Sequence, residues 1–131
     1  MIAVVDASAA MEIVLERPRA EEFKAIVDAS AFTLAPDVFA AEITNAFWKC
    51  RSFGGIKDES CMYGIEFCLG LIEDYVMTGS LWHEAFLGSV KHEHSVYDLL
   101  YIVVARRNNA TLLTTDKKLK KIAKELGVKV V

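Results

Sequence analysis

Short β-branched runs alternate along this chain with longer stretches in which apolar residues return every three or four positions, and that alternation predicts strands interleaved with helices. Ile2-Ala3-Val4-Val5 reads as a buried strand, and Ala7 to Leu15 has helical composition that stops before Pro18. A second helix, over about 18–29, carries Ala20, Phe23, Ile26 and Val27 on one side. Thr33-Leu34-Ala35 is a short strand candidate; Pro36-Asp37 then opens a long helix to about Arg51, which Gly54-Gly55 ends. Cys61, Ile65, Cys68 and Leu69 recur at helical spacing between Lys57 and about Leu71, and a weak strand candidate covers Ile72 to Met77. Helices are expected over about 81–92 and 95–108, the latter apolar nearly all round, as a helix sandwiched inside a domain is. Strand 111–114, helix 116–126 and a last strand over 128–130 complete the pattern.

Strands alternating with helices predict an α/β fold: a three-layer α/β/α sandwich around a parallel sheet of about five strands, with right-handed crossovers. Residues 1–131 are about one domain's length and show no linker, internal repeat or low-complexity segment. The pattern leaves the strand order open. If the first strand is central with 111–114 beside it, Asp6 and Asp116 flank the topological switch point, at the strand edge where ligands bind in open α/β sheets.

Composition narrows the class. Hydrophobic residues make up 53% of the chain, somewhat above an ordinary soluble domain. That excess fits either a surface covered by a second copy or a partner, or a compact fold with helices on both sheet faces. Cys50, Cys61 and Cys68 form no C-x-x-C pair and cannot all be paired, so core thiols in a reducing cytoplasm are expected. The start meets Asp6 too early for a signal peptide, and the longest apolar run, Leu99 to Ala105, is far too short to cross a bilayer. A net charge of −3 advertises no global affinity for nucleic acid, so any such role is local.

Four acids in hydrophobic surroundings, Asp6, Glu42, Asp98 and Asp116, are the candidate chemistry. Each has a structural alternative. Asp6, with Ser8 two residues on, is either a metal ligand oriented by the Ser8 hydroxyl or a helix cap. Glu42 shares a helical stripe with Asn45 and Lys49, which is either part of a site or a solvated Glu to Lys contact. Ser95 and Asp98 fit a capping box, although a carboxylate in a first helical turn also suits a cation. Asp116 can cap the helix it starts, while Thr114 or Thr115 can offer a hydroxyl to the site or to a phosphate. Carboxylates gathered together raise each other's pKa unless a cation neutralises them, and hard oxygen ligands select Mg²⁺ or Mn²⁺. Such ions lower the pKa of an attacking water and stabilise the leaving oxygen in phosphodiester hydrolysis.

V-V-D-A-S at 4–8, P-D-V-F-A-A-E-I-T-N-A-F at 36–47, S-V-Y-D-L-L-Y-I-V-V-A-R at 95–106 and L-L-T-T-D-K-K-L at 112–119 resemble, in order and spacing, the PIN domain, specifically its VapC-like toxin ribonucleases. The resemblance spans essentially the whole chain. It implies sheet order 3-2-1-4-5 and a Mg²⁺- or Mn²⁺-dependent endoribonuclease with Asp6, Glu42 and Asp98 as core acids and Asp116 as a more variable fourth. Ser8, Asn45 and Thr114 match the family's supporting polar positions. It further implies a homodimer silenced by a cognate antitoxin, here a separate polypeptide, whose C-terminal segment lies across the groove. The competing functions are a catalytically silent PIN-like scaffold that binds RNA or protein, and a haloacid dehalogenase-type phosphohydrolase, which normally wants a second Asp where this chain has Ser8.

Other residues offer less. His92-Glu93-His94 has the wrong spacing for two ligands from one helical face and reads as a surface loop rather than a zinc site; His83 has no evident partner. Trp48 and Trp82 are expected in core or interface packing more than in base stacking. Met11, Ile13, Val14, Phe23 and Ile26 line either a partner groove or the core. Lys49, Arg51, Arg106 and Arg107 are candidates to serve a strand of RNA, whereas the lysines between Lys117 and Lys124 form the wet face of an amphipathic helix.

Overall fold

The computed structural model describes all 131 residues. In chain order the elements are β1 (Ile2–Val5), α1 (Ala7–Val14), α2 (Ala20–Ala29), β2 (Phe32–Pro36), α3 (Val38–Gly54), α4 (Asp58–Gly70), β3 (Asp74–Val76), α5 (Trp82–His92), α6 (Val96–Arg107), β4 (Thr111–Leu113), α7 (Lys117–Glu125) and β5 (Lys129–Val130), with a short 3-10 turn at Thr78–Ser80. The expected elements are all present. The strand expected over 72–77 shortens to three residues at a sheet edge, with Ile72 packed into the core ahead of it.

The five strands form one parallel sheet in the order β3-β2-β1-β4-β5. β1 is central and buried, with Ala3, Val4 and Val5 fully covered, as a strand enclosed on both faces of a parallel sheet must be. Its register sets Val5 against Leu113 of β4, and the Asp6 N–H continues the ladder to the Leu113 carbonyl at 3.1 Å. The residues that follow the two strands, Asp6 and Thr114, therefore leave the sheet side by side. The chain runs outward from β1 in one direction through β2 and β3, and in the other through β4 and β5, so this is also the switch point.

Helices α1 to α4 pack against one another, while α6 lies along β1, β2 and β4 with α5 on its outer side. Leu99 through Ala105 are buried without interruption, which explains why α6 shows no polar stripe. One core cluster joins sheet and helices, including Phe23, Phe39, Ile43 and Leu112. Cys61 and Cys68 are buried thiols and Cys50 is half-buried; burial pushes the Cys68 thiol up to about 12, so it stays protonated and inert. No helix is long and apolar enough to cross a membrane.

A cleft of four acids

The carboxyl edge of the sheet gathers the acids that the sequence scatters. Asp6 is buried, 5% exposed, directly past β1. It is the N-cap of α1 and a candidate ligand together: its Oδ1 accepts from the Ala9 N–H at 2.8 Å and from the Ser8 hydroxyl at 2.6 Å. A carboxylate has about four lone-pair sites, so capping leaves it capacity for a cation. Burial drives its pKa up to about 6, against the lowering effect of hydrogen bonds from Ser8, Thr114 and the Ala9 N–H, and the charge of Asp98 adds to the rise. The Ser8 hydroxyl in turn stands 3.3 Å from that of Thr114 and accepts the Thr115 N–H at 2.9 Å, tying the ends of β1 and β4 together.

Glu42 lies in the second turn of α3, half-buried. No pairing with Lys49 forms; the Tyr101 hydroxyl instead donates to Glu42 Oε1 at 2.6 Å. Desolvation raises the Glu42 pKa, the Tyr101 hydrogen bond lowers it, and Asp98 raises it again. Tyr101 is itself fully buried, and that burial, followed by the charges of Glu42, Asp6 and Asp98, holds its phenol far above the ordinary range, so it is a permanent donor. Tyr101 and Asp98 are three apart on α6 and so share a face. Asp98 is thus the acid whose charge is felt by both Asp6 and Glu42.

The capping box expected at Ser95 is only half made. Ser95 Oγ accepts from the Tyr97 N–H at 3.2 Å, while Asp98 turns away and meets His94 Nε2 at 2.8 Å. His94 is therefore not the surface residue expected: its imidazole is 10% exposed and faces the acids. The turn that puts it there passes through Glu93 in the left-handed region, φ 52°, at the C-cap of α5. Asp116 is the N-cap of α7, its Oδ1 accepting from the Lys118 and Leu119 N–H groups at 2.9 and 3.1 Å, and its own N–H reaches Thr114 Oγ1 at 3.1 Å. One ligand atom each from His94, Asp98 and Asp116 lies within 4.8 Å of the other two. Asn45 is exposed on α3, one turn beyond Glu42.

This donor set suits a hard divalent cation, which would offset the burial that chiefly raises Asp6 and Glu42 and the smaller repulsion from Asp98. Three of the four basic residues expected to serve RNA are engaged elsewhere. Arg106 and Arg107 close on Glu84 at 3.1 and 2.9 Å, at the end of α6 away from Asp98, and Arg51 pairs with Asp58. Arg19 approaches instead, its Nη1 3.5 Å from the Thr114 carbonyl, with its guanidinium held by Glu22 and stacked 4.4 Å above the Phe23 ring. Lys120 of the lysine-rich helix is half-buried, and desolvation followed by the charge of Arg19 lowers its pKa. Trp48 and Trp82 are more than half exposed, so neither is a core residue. Met11, Ile13 and Phe23 are core and Ile26 packs half-buried against it; Val14, with Ile13 and Phe67, also lines an open groove, so both readings hold in part.

Sequence reasoning missed three contributors. Tyr101 had a signal, since it follows Asp98 by one helical turn; Arg19, at the start of α2, and His94, just past the left-handed Glu93, had none that pointed to the acids.

A parallel three-layer sandwich with acids from the ends of β1 and β4 and from α3 and α6 meeting at the switch point defines a class of α/β proteins built around an acidic cluster. Within that class this chain belongs to the PIN domain family, whose pattern it matches over residues 3–125. It is 27% identical to Ribonuclease VapC3 of Pyrobaculum aerophilum over 121 residues, 88% of this chain and 90% of that one. The crystal structure of PAE2754 from Pyrobaculum aerophilum superposes with a TM-score of 0.77 at 21% identity, covering 100% of this chain and 92% of the other. VapBC2 from Rickettsia felis, bound to a DNA fragment from their promoter, is similar with a TM-score of 0.71 at 16% identity, covering 100% and 98%. The family leaves no place for a haloacid dehalogenase reading of Asp6.

Proposed function

We propose that this protein is a divalent-metal-dependent endoribonuclease, the toxin of a VapBC-like toxin–antitoxin pair acting in the cytoplasm as one PIN domain. The observation that carries the reading is the convergence of Asp6, Glu42, Asp98 and Asp116 on one sheet edge, where burial raises Asp6 and Glu42 and the charge of Asp98 raises both further. Family membership and the ribonuclease name of its relative support it.

Asp6, Glu42, Asp98 and Asp116 would hold Mg²⁺ or Mn²⁺, and the bound ion supplies Lewis acidity that lowers the pKa of water and polarises a phosphoryl oxygen. The chain's part is to keep the acids in place. Ser8 and the Ala9 N–H fix Asp6, Tyr101 fixes Glu42, and the α7 backbone fixes Asp116. Thr114 closes the floor through Ser8, and Thr115 is tied to it by its backbone. Asn45 is free to meet a substrate atom at the rim. Arg19, beside the Thr114 carbonyl, and Lys120, one helical turn past Asp116, would offer positive charge at the end of β4 to the phosphate backbone of RNA despite the net charge of −3.

The partner proteins follow from the same reading. A cognate antitoxin is a separate polypeptide, as the two-component name VapBC2 is for that structural relative. Trp82, Phe86, Leu87 and Val90 expose an apolar face on α5 that suits homodimerisation.

Total cellular RNA incubated with the protein and with Asp98→Asn, in Mg²⁺ or Mn²⁺ and in EDTA, tests the activity. Discrete metal-dependent ends made only by the native protein are expected. RNA or antitoxin binding with no cleavage by an antitoxin-free sample would favour the silent scaffold.

A further inference from the structure

The acidic cleft contains one donor that a four-carboxylate metal centre does not use. We propose that the His94 imidazole is a nitrogen ligand of the ion held by Asp98 and Asp116, and that it biases the site toward Mn²⁺ over Mg²⁺. This rests on the metal-centre reading above.

Three observations carry it. The imidazole is nine-tenths buried, so it is held in place by its surroundings, with Nε2 directed at Asp98 Oδ2, 2.8 Å away. Two ligands at right angles about an ion roughly 2.1 Å from each stand about 3 Å apart, and two opposite ligands about 4.2 Å. The His94, Asp98 and Asp116 ligand atoms, all within 4.8 Å of one another, lie little beyond the span of one coordination sphere, so a small closing movement about an ion would bring all three into it. The second oxygen of Asp116 is free for this, because the α7 N–H groups both bond Oδ1.

The donor type then sets the preference. Mg²⁺ takes oxygen ligands in a near-ideal octahedron and gains little from an imidazole, while Mn²⁺ lies on the transition-metal series, in which imidazole is a good ligand. A His94 that only hydrogen-bonds Asp98 would orient that carboxylate for either ion alike. Selectivity is what separates a ligand from a positioning residue.

The test uses the full chain, stripped with EDTA, and titrates MnCl₂ or MgCl₂ into native protein and His94→Gln by calorimetry. Pulsed EPR on the Mn²⁺ complexes provides a readout independent of activity. We expect imidazole ¹⁴N modulation in the native complex and none in His94→Gln, with Mn²⁺ affinity falling about tenfold or more and Mg²⁺ affinity nearly unchanged. His94→Asn substitutes should the glutamine variant not fold. A native Mn²⁺ complex without nitrogen modulation overturns the proposal whatever the variants do, and equal losses for both ions reduce His94 to a positioning residue. Failure of the native protein to bind either ion would instead remove the metal centre itself.

Discussion

Asp6 and Asp116 each cap a helix and are each proposed as a metal ligand, and substitution separates the two roles. Asp6 is held protonated to a higher pH in the folded protein, about 6 against 3.8 for an unperturbed Asp, so folding is favoured by protonation. Its contribution to stability is full below about pH 4 and is lost as pH rises through about 6. The rise from 3.8 to about 6 corresponds to about 3 kcal/mol. Asp6→Asn keeps an acceptor for the Ala9 N–H and removes the buried charge. Melting in EDTA at pH 7 is expected to show the variant several degrees more stable than the native protein, with the difference vanishing near pH 4. A less stable variant at pH 7 would mean that the charge is already compensated. At Asp116 the cap decides. Asp116→Ala strands the Lys118 and Leu119 N–H groups and is expected to lower stability by about 1 kcal/mol, whereas Asp116→Asn retains the cap. Both are expected to weaken Mn²⁺ binding, so denaturation and metal titration of the pair distinguish cap from ligand.

Helices are where packing constrains the cleft from behind. Glu42 is positioned by α3, and α3 is seated on α4 through Phe47, whose ring occupies the space a Cβ at Gly64 would need. Phe47 is 3% exposed and has little room to yield. Gly64→Ala is therefore expected to cost about 1–3 kcal/mol by overpacking, read as a lower urea midpoint with unchanged slope. An unchanged midpoint would show that the two helices slide apart freely. Buried α6 positions the other side of the site. Its unbroken core contacts from Leu99 to Ala105 fix the rotation of the helix, and with it the direction in which Asp98 and Tyr101 point.

At the scale of the molecule, the proposed metal site would link ion binding to folding. A ligand that binds only the native state stabilises it by about 2.7 kcal/mol at one hundred times its Kd. Saturating Mn²⁺ is expected to raise Tm by several degrees at pH 7 and to lose that effect in Asp98→Asn. An equal shift in both proteins would place the ion elsewhere. Because metal displaces protons from Asp6 and Glu42, the gain is expected to shrink as pH falls below about 6.

The amino-acid pattern by itself determined the alternation of strands and helices, the burial of Ala3–Val5 and of Leu99–Ala105, and which four acids to look for. Those signals are local, carried by the two periods of hydrophobic repetition and by the residues that follow a strand. The resemblance in four short motifs supplied the strand order, which periodicity leaves open. Tertiary structure alone decided what each acid touches. Lys49 is as near to Glu42 in sequence as any cation, yet Tyr101, 59 residues on, is its partner, because α6 lies across the sheet opposite α3. Ser95 offered Asp98 a cap, but the left-handed Glu93 swings His94 inward and the imidazole takes the carboxylate instead. Arg19 reaches Thr114 only because β1 and β4 are neighbours in the sheet and α2 starts above their ends. Hydrophobic spacing specifies which face of an element is buried; which side chains then meet across 50 or 100 residues depends on register and crossing, and neither is written in any one segment.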